Sequence, residues 1–347
     1  MIYINRNRHI ENDEFRDMLS SFGLAEQLSV AQTVLIKPNL AAGTAADPNK
    51  HVISDLQFLA NIIQTIAAIN SKAAIYLAEG DSTGNGFAYL KFEHLNLPFS
   101  LDLEEDVLHR VQLLDLTRDR LVLKEDKRFL YFKSPDRPLW MSEKMMQADF
   151  IISMSNLKTH SVARFTGACK NLFGALPSFD KSIYHPHIHK VVHDVTLAIA
   201  PHLNIVDAFY AMQRNGPVQG EDIDLGFRVI SDSAFEADCE SAHQVGIRST
   251  TIRYLQLLSR SLKSPLPVFE GKKARIKSPQ LFLRIMNFIG LTLQRLGQSL
   301  VGFGHRIHTS TSPLILMIAI FRPLLTCMFS MDQLKRWKVK ITKDEGL

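Results

Sequence analysis

Short aliphatic and β-branched runs that each stop at a polar turn are the feature that most restricts what this chain can fold into. Thr33 to Lys37 (TVLIK) is such a run, ending at Pro38 and Asn39. Val52, Leu56, Leu59, Ile63 and Ile66 then recur at helical spacing, which predicts a helix over His51 to Asn70. Ala74 to Ala78 (AIYLA) is the next apolar run, and it ends at Glu79, Gly80, Asp81 and Ser82. Strand, helix and strand at this spacing form a βαβ unit, which requires a parallel sheet with a right-handed crossover.

The same punctuation continues downstream. Phe150 to Ser153 and Leu203 to Val206 read as buried strands, and Phe227 to Ile230 as another. Helices are predicted over Ser142 to Gln147, His189 to Ala200 and Ala234 to Val245. Arg120 to Phe132 alternates apolar and charged residues and reads as a hairpin. The expected fold is therefore α/β, with an open, mostly parallel sheet and helices on both faces. Two regions are expected: an α/β domain over 1–264 and a basic, apolar, helical C-terminal segment over 265–347.

The charge distribution supports that division. The net charge is +5, yet Gly271 to Met331 contains eight Lys and Arg and no Asp or Glu. The rest of the chain therefore nets three negative charges (5 minus 8). Pro313 to Met331 is apolar but broken by Arg322 and Pro323, so it falls short of the roughly 18 uninterrupted apolar residues of a spanning helix. A basic, acid-free, apolar segment suits a membrane interface or a partner surface. Two helices packed on the sheet fit equally well. With few aromatics for base stacking, no nucleic acid is expected as a partner. The N-terminus is charged from the start, without an apolar stretch of signal-peptide length, and the expected location is cytoplasmic, with peripheral membrane association through 271–331 as an alternative.

The three cysteines, Cys169, Cys239 and Cys327, are too few and too scattered for a disulfide framework or an iron–sulfur cluster held by this chain. Cys169 beside Lys170 reads either as an activated thiolate or as a small core residue.

Polar residues gather just after the strands, where open α/β sheets bind ligands. Lys37 and Asn39 follow the first strand, Asp81 and Ser82 the second, Lys158 and His160 the third, and Asp207 the fourth. A segment with two glycines, Gly167 and Gly174, brings Lys170 and Asn171 between them. Lys37, Lys158 and Lys170 would repel one another, so an anionic small molecule, carboxylate or phosphate, is the natural partner. Lys37, Asn39, Ser82, Gly167, Lys170, Asn171 and Gly174 are the expected ligand contacts. Lys158, His160, Asp81 and Asp207 are the expected proton-handling or metal-handling groups. As surface-type lysines, Lys158 and Lys170 would shift stability by only about 0.5 kcal/mol when replaced. Neither the P-loop spacing nor a Gly-x-Gly-x-x-Gly turn is present. His189 and His193, one helical turn apart, could ligate a divalent metal with Asp194 or Asp207. General acid–base work by His160 or His189 is the alternative. The turn at 215–220 is expected to close over the site.

Seven of these pieces occur in an order that resembles domain-of-unknown-function family 362. They are Ile36 to Leu40, Glu79 to Ser82, Asn156 to His160, Thr166 to Gly174, Ile205 to Ala208, Gly216 with Pro217 and Gly220, and Ala237 with Asp238. The most specific are Lys158-Thr159-His160 and Lys170 to Gly174. The resemblance spans about Val34 to Gly246 and implies an α/β domain that often accompanies a ferredoxin-type cluster module. This chain has no cysteine-rich module, so an electron-transfer role would need a separate ferredoxin-like protein. The expected function is an enzyme acting on a bound anion, with a redox step fed by such a partner. A non-catalytic binding module docked through the basic tail is the alternative.

Overall fold

The computed structural model describes residues 1–40, 52–82, 87–160, 162–214, 216, 220–267, 276–277 and 289–292. The chain divides into two compact units, 1–284 and 285–347. The first continues past the expected boundary at 264, because Lys277 donates from its backbone to the Gln213 side chain and accepts from the Arg214 amide. The basic tail and its two apolar stretches lie almost wholly outside the described residues.

The first unit is α/β, as the alternation of strands and helices predicts. In chain order its elements are β1 (Ile2–Asn5), α1 (Asn12–Ser21), α2 (Ala25–Val30), β2 (Thr33–Lys37), α3 (Leu56–Ile69), β3 (Ala74–Glu79), α4 (Ala88–His94), α5 (Glu105–Leu108) and β4 (Val111–Asp115). They continue with β5 (Leu121–Lys124), β6 (Leu139–Ser142), α6 (Glu143–Gln147), β7 (Phe150–His160), β8 (Arg164–Thr166) and α7 (Ala168–Leu172). The last are α8 (Ile188–Ile199), β9 (Leu203–Gln213), β10 (Glu221–Asp224), β11 (Arg228–Ser231), α9 (Ala234–Gln244) and α10 (Arg253–Leu262).

The main sheet runs β1-β11-β9-β7-β2-β3-β4, with β10 on β9 and β8 on β7. β9, β7, β2, β3 and β4 are mutually parallel, and the remaining pairings are antiparallel. Alternation along the strands builds two apolar layers. Val34, Ile36, Phe150 and Ile152 join the layer under α1 and α3, whereas Leu35, Ile151, α7, α8 and α9 form the other. Asp55 caps α3 by accepting from the Gln57 and Phe58 amides.

Two elements differ from the sequence reading. Leu121–Lys124 does form an antiparallel pair, but with Leu139–Ser142 rather than within 120–132. The intervening chain is held by Asp194, whose carboxylate accepts from the backbone of Leu130, Tyr131 and Phe132. The Phe150 strand does not stop at Ser153. It continues to His160, buried throughout, and this extension carries the site residues. Leu203 to Val206 likewise extends to Gln213.

Candidate functional site

The sheet order places a switch in winding direction at β2. From β2 the chain moves through β3 to β4, then returns to lay β7 on the other side of β2. Crevices at the carboxyl ends of strands flanking such a switch are where open α/β sheets bind ligands. Here those ends carry Lys37, paired in register with Ser153, and the extension of β7 bearing Lys158 and His160.

The floor of the site is a turn braced by three buried lysines. Lys37 Nζ lies 2.8 Å from Glu79 Oε1 and donates to the Pro38 carbonyl at 2.8 Å. Lys91 Nζ donates to the Gly80 carbonyl at 2.8 Å, and Lys181 Nζ to the carbonyls of Asp81 and Gly174. All three are at most 3% exposed. Burial alone pushes the Glu79 carboxyl up, but the charges of Lys37 and Lys91 outweigh it and hold the group at about 2. Burial pushes the amines of Lys37 and Lys181 down, with Glu79 opposing. The backbone is drawn tight here. A Cβ on Gly80 would fall 2.4 Å from the Gly174 carbonyl oxygen, so glycine is required. Asp81 is 1% exposed, accepts from the Ala88 amide and pairs with Arg118 at 3.1 Å.

Beside this floor stand Lys158, Lys170 and His160. Lys158 is 1% exposed and donates to the Val52 carbonyl. Among the described residues no carboxylate lies within ion-pair distance of it. Burial, then the Lys170 charge, lowers its amine from 10.5 to about 7. Lys170, half-buried on α7, holds its Nζ 4.3 Å from the Phe173 ring centroid, and burial followed by Lys37 lowers it to about 8. His160 Nδ1 accepts from the amides of Val162 and Ala163 at 3.1 and 3.2 Å, which leaves its proton on Nε2. Burial and then Lys170 keep this ring neutral. The same two causes lower His185 to about 4. The group thus offers two amines that titrate near neutrality and a neutral imidazole that donates from Nε2.

Other expected site residues serve the framework. Asn171 spends its amide on the Lys37 carbonyl and Ser153 Oγ, tying α7 to the sheet. Asn39 exchanges hydrogen bonds with Ser54 through its backbone. Ser82 follows Asp81 at a partly exposed position. Gly167 lies against Asp238, where a Cβ would meet Oδ1 at 2.2 Å. Asp207 faces Arg228, 3.2 Å from its Nε and 2% exposed, while the Arg228 guanidinium stacks 3.5 Å from the Phe58 centroid. Although the distance is that of an ion pair, that Nε makes no hydrogen bond of good geometry; the charges remain in contact. Asp207, in register with Asn156 on β7, is thus half of a buried pair with Arg228.

The metal reading of His189 and His193 is corrected by His193 itself. Its Nδ1 contacts Asp194 Oδ1 and its Nε2 contacts Ser261 Oγ, both at 2.7 Å, so neither nitrogen is open to a metal. Among the described residues no group of three or more His, Cys, Asp or Glu is placed to hold a metal ion. Burial, then Asp238, pushes the Cys169 thiol well above its ordinary range, which removes the thiolate alternative. The turn at 215–220 lies largely outside the described residues.

Lys91 and Lys181 do not stand out at a strand exit, yet both left a signal. Ala88, Lys91 and Phe92 fall on the buried side of α4 at helical spacing, so Lys91 sits where an apolar residue belongs. Lys181 follows Asp180, which caps its turn by accepting from Ser182.

A relative from Synechocystis sp., "Thylakoid-associated protein sll1697", is 27% identical over 223 residues, covering 62% of this chain and 64% of its own length. Among the described residues no helix is long and apolar enough to cross a membrane. The model of the domain of unknown function DUF362 matches residues 34–243, which contain every lysine of the site, and the chain belongs to that family.

Proposed function

We propose that this protein is an enzyme whose substrate is a small carboxylate or phosphate anion, held by Lys158, Lys170 and the Nε2 proton of His160. The observation that carries the reading is the charge balance at the carboxyl ends of β2, β3 and β7. Five lysines gather there, while Glu79 is engaged by Lys37 and Asp81 by Arg118. Lys37, Lys91 and Lys181 find backbone carbonyls, whereas Lys158 and Lys170 lack a carboxylate among the described residues. An anion supplies it, and by favouring the charged amine of Lys170 it draws a proton onto that group. Lys158, titrating near neutrality, is suited to acid–base work.

Calorimetric titration with inorganic phosphate and with oxalate at pH 8, in buffers of different ionisation enthalpy, tests this. Binding with proton uptake, lost in Lys170→Met, is expected. No binding of either anion by the folded chain would overturn the proposal.

A second reading concerns location. The name of the Synechocystis relative associates it with thylakoids, and the acid-free composition of 271–331 suits an anionic lipid surface. Flotation with anionic vesicles, sensitive to salt and absent with neutral vesicles, is the expected result; equal indifference to both vesicle types would exclude attachment.

A further inference from the structure

We infer that Lys158 is a nucleophile, and that the bound anion also carries an aldehyde or ketone carbonyl that condenses with its amine to a Schiff base. This rests on the anion-binding reading and narrows its substrate class.

The geometry separates Lys158 from the other buried amines. Lys37 is fixed between Glu79 and Pro38, and Lys181 between two backbone carbonyls. Lys91, like Lys158, donates to one carbonyl, but its charge bears on the Glu79 carboxylate and it lies on α4 rather than beside Lys170. Lys158 contacts the single Val52 carbonyl. It sits on the part of β7 that runs beyond its pairing with β2, which ends at Ser153. The charges that bear on it from elsewhere are Lys170 on α7, Lys37 on β2 and, opposing them, Glu79 on β3. A lysine desolvated and set beside a second cation holds a free-base amine at neutral pH, which is the condition for attack on a carbonyl. Lys170 and His160 then have a separate task, holding the substrate's anionic end.

The step balances without an oxidant or reductant. The neutral amine attacks the carbonyl carbon and a C–N bond forms. The carbonyl oxygen takes up the proton that the attacking nitrogen gives up, leaving a carbinolamine. Protonation and departure of that oxygen as water leaves an iminium ion. Its new positive charge is offset by the substrate's own carboxylate or phosphate.

The test uses the full chain with glyoxylate, pyruvate and the uncharged aldehyde propanal, each with sodium cyanoborohydride, followed by peptide mass mapping. The expected result is one reduced adduct on Lys158 with glyoxylate or pyruvate, suppressed by inorganic phosphate. Lys170→Met removes the anchor; any change it makes in the Lys158 amine acts on both carbonyls alike, so it should slow glyoxylate about tenfold more than propanal, the worth of one charge-assisted contact. Adducts scattered over exposed lysines, or none at Lys158, would overturn the inference. If phosphate or oxalate still binds in that case, the anion-binding reading survives; if neither binds, that reading fails with it.

Discussion

Replacing Lys158 with methionine should stabilise the ligand-free protein at neutral pH. The amine ionises near 10.5 in an unfolded chain and at about 7 in the fold, because burial and Lys170 disfavour its charge. The unfolded chain therefore binds the proton more tightly, and the folded state carries a penalty that is absent above pH 10.5. That penalty grows as pH falls from 10.5 to 7 and is constant below. By linkage it amounts to about 4 kcal/mol at pH 7 and about 2 kcal/mol at pH 9. Methionine fills a similar volume without the charge but leaves the Val52 carbonyl unsatisfied, a loss of about 2 kcal/mol. The variant should thus gain about 2 kcal/mol at pH 7, with the gain vanishing near pH 9. Urea denaturation of both proteins at pH 6, 7.5 and 9 measures this. A variant that is less stable at all three pH values, or a difference independent of pH, would refute the account of Lys158 as an unpaired buried amine. The outcome also separates it from a surface lysine, for which a change of about 0.5 kcal/mol at every pH is expected.

Glu79→Gln leaves Lys37 buried without its carboxylate and should cost about 3–5 kcal/mol at pH 7. Glu79 ionises at about 2 instead of 4.5, so its contribution is full above pH 4.5 and is lost as pH falls toward 2. Acid titration of the variant should accordingly show a flatter limb in that window. Asp207→Asn strips the partner from buried Arg228 and should cost a similar amount in urea, yet leave phosphate affinity in the surviving folded protein unchanged; a parallel loss of affinity would place Asp207 in the anion site after all. Gly80→Ala forces a Cβ to 2.4 Å from the Gly174 carbonyl and should lower the melting temperature by several degrees, about 1–3 kcal/mol of strain, whereas no change in melting temperature would mean that the turn gives way freely.

The parallel core of the sheet was legible because β2, β3, β7 and β9 are largely buried and begin as short, mostly apolar runs. The outer strands were harder. β5 and β6 pair across fourteen intervening residues, 125–138, and no local pattern in 120–132 names the partner. The extension of β7 was missed because Asn156, Lys158 and His160 look like a loop when polarity alone is weighed, although all are buried. Past Ser153 the strand loses β2 as a neighbour but stays paired with β9 and β8, so it keeps its extended form without its apolar run. The same ambiguity governs the site. Lys37, Lys158, Lys170 and His160 were legible as strand-exit or glycine-flanked polar residues. Asp207 shows the identical signal, but no local pattern marks its buried partner Arg228, 21 positions away on β11. His189 and His193 share a helical face as spacing predicts, yet spacing could not reveal that Ser261 on α10 occupies the second nitrogen of His193.

The five lysines show why burial alone does not define the site. A buried ammonium kept for structure needs acceptors, and the fold supplies them at Pro38, Gly80, Asp81 and Gly174 for Lys37, Lys91 and Lys181. Had Lys158 and Lys170 the same purpose, a nearby carboxylate such as Glu79 provides for Lys37 and Lys91 would dominate their surroundings, or apolar side chains of similar length would fill their places with less penalty. Instead they stand next to each other's charge, one on a single carbonyl and the other on the face of Phe173. Proteins retain arrangements that conflict with their own stability where function requires them. The conflict among these lysines has one sign, lies at the carboxyl ends of the strands at the switch point, and would be relieved by negative charge from outside the chain.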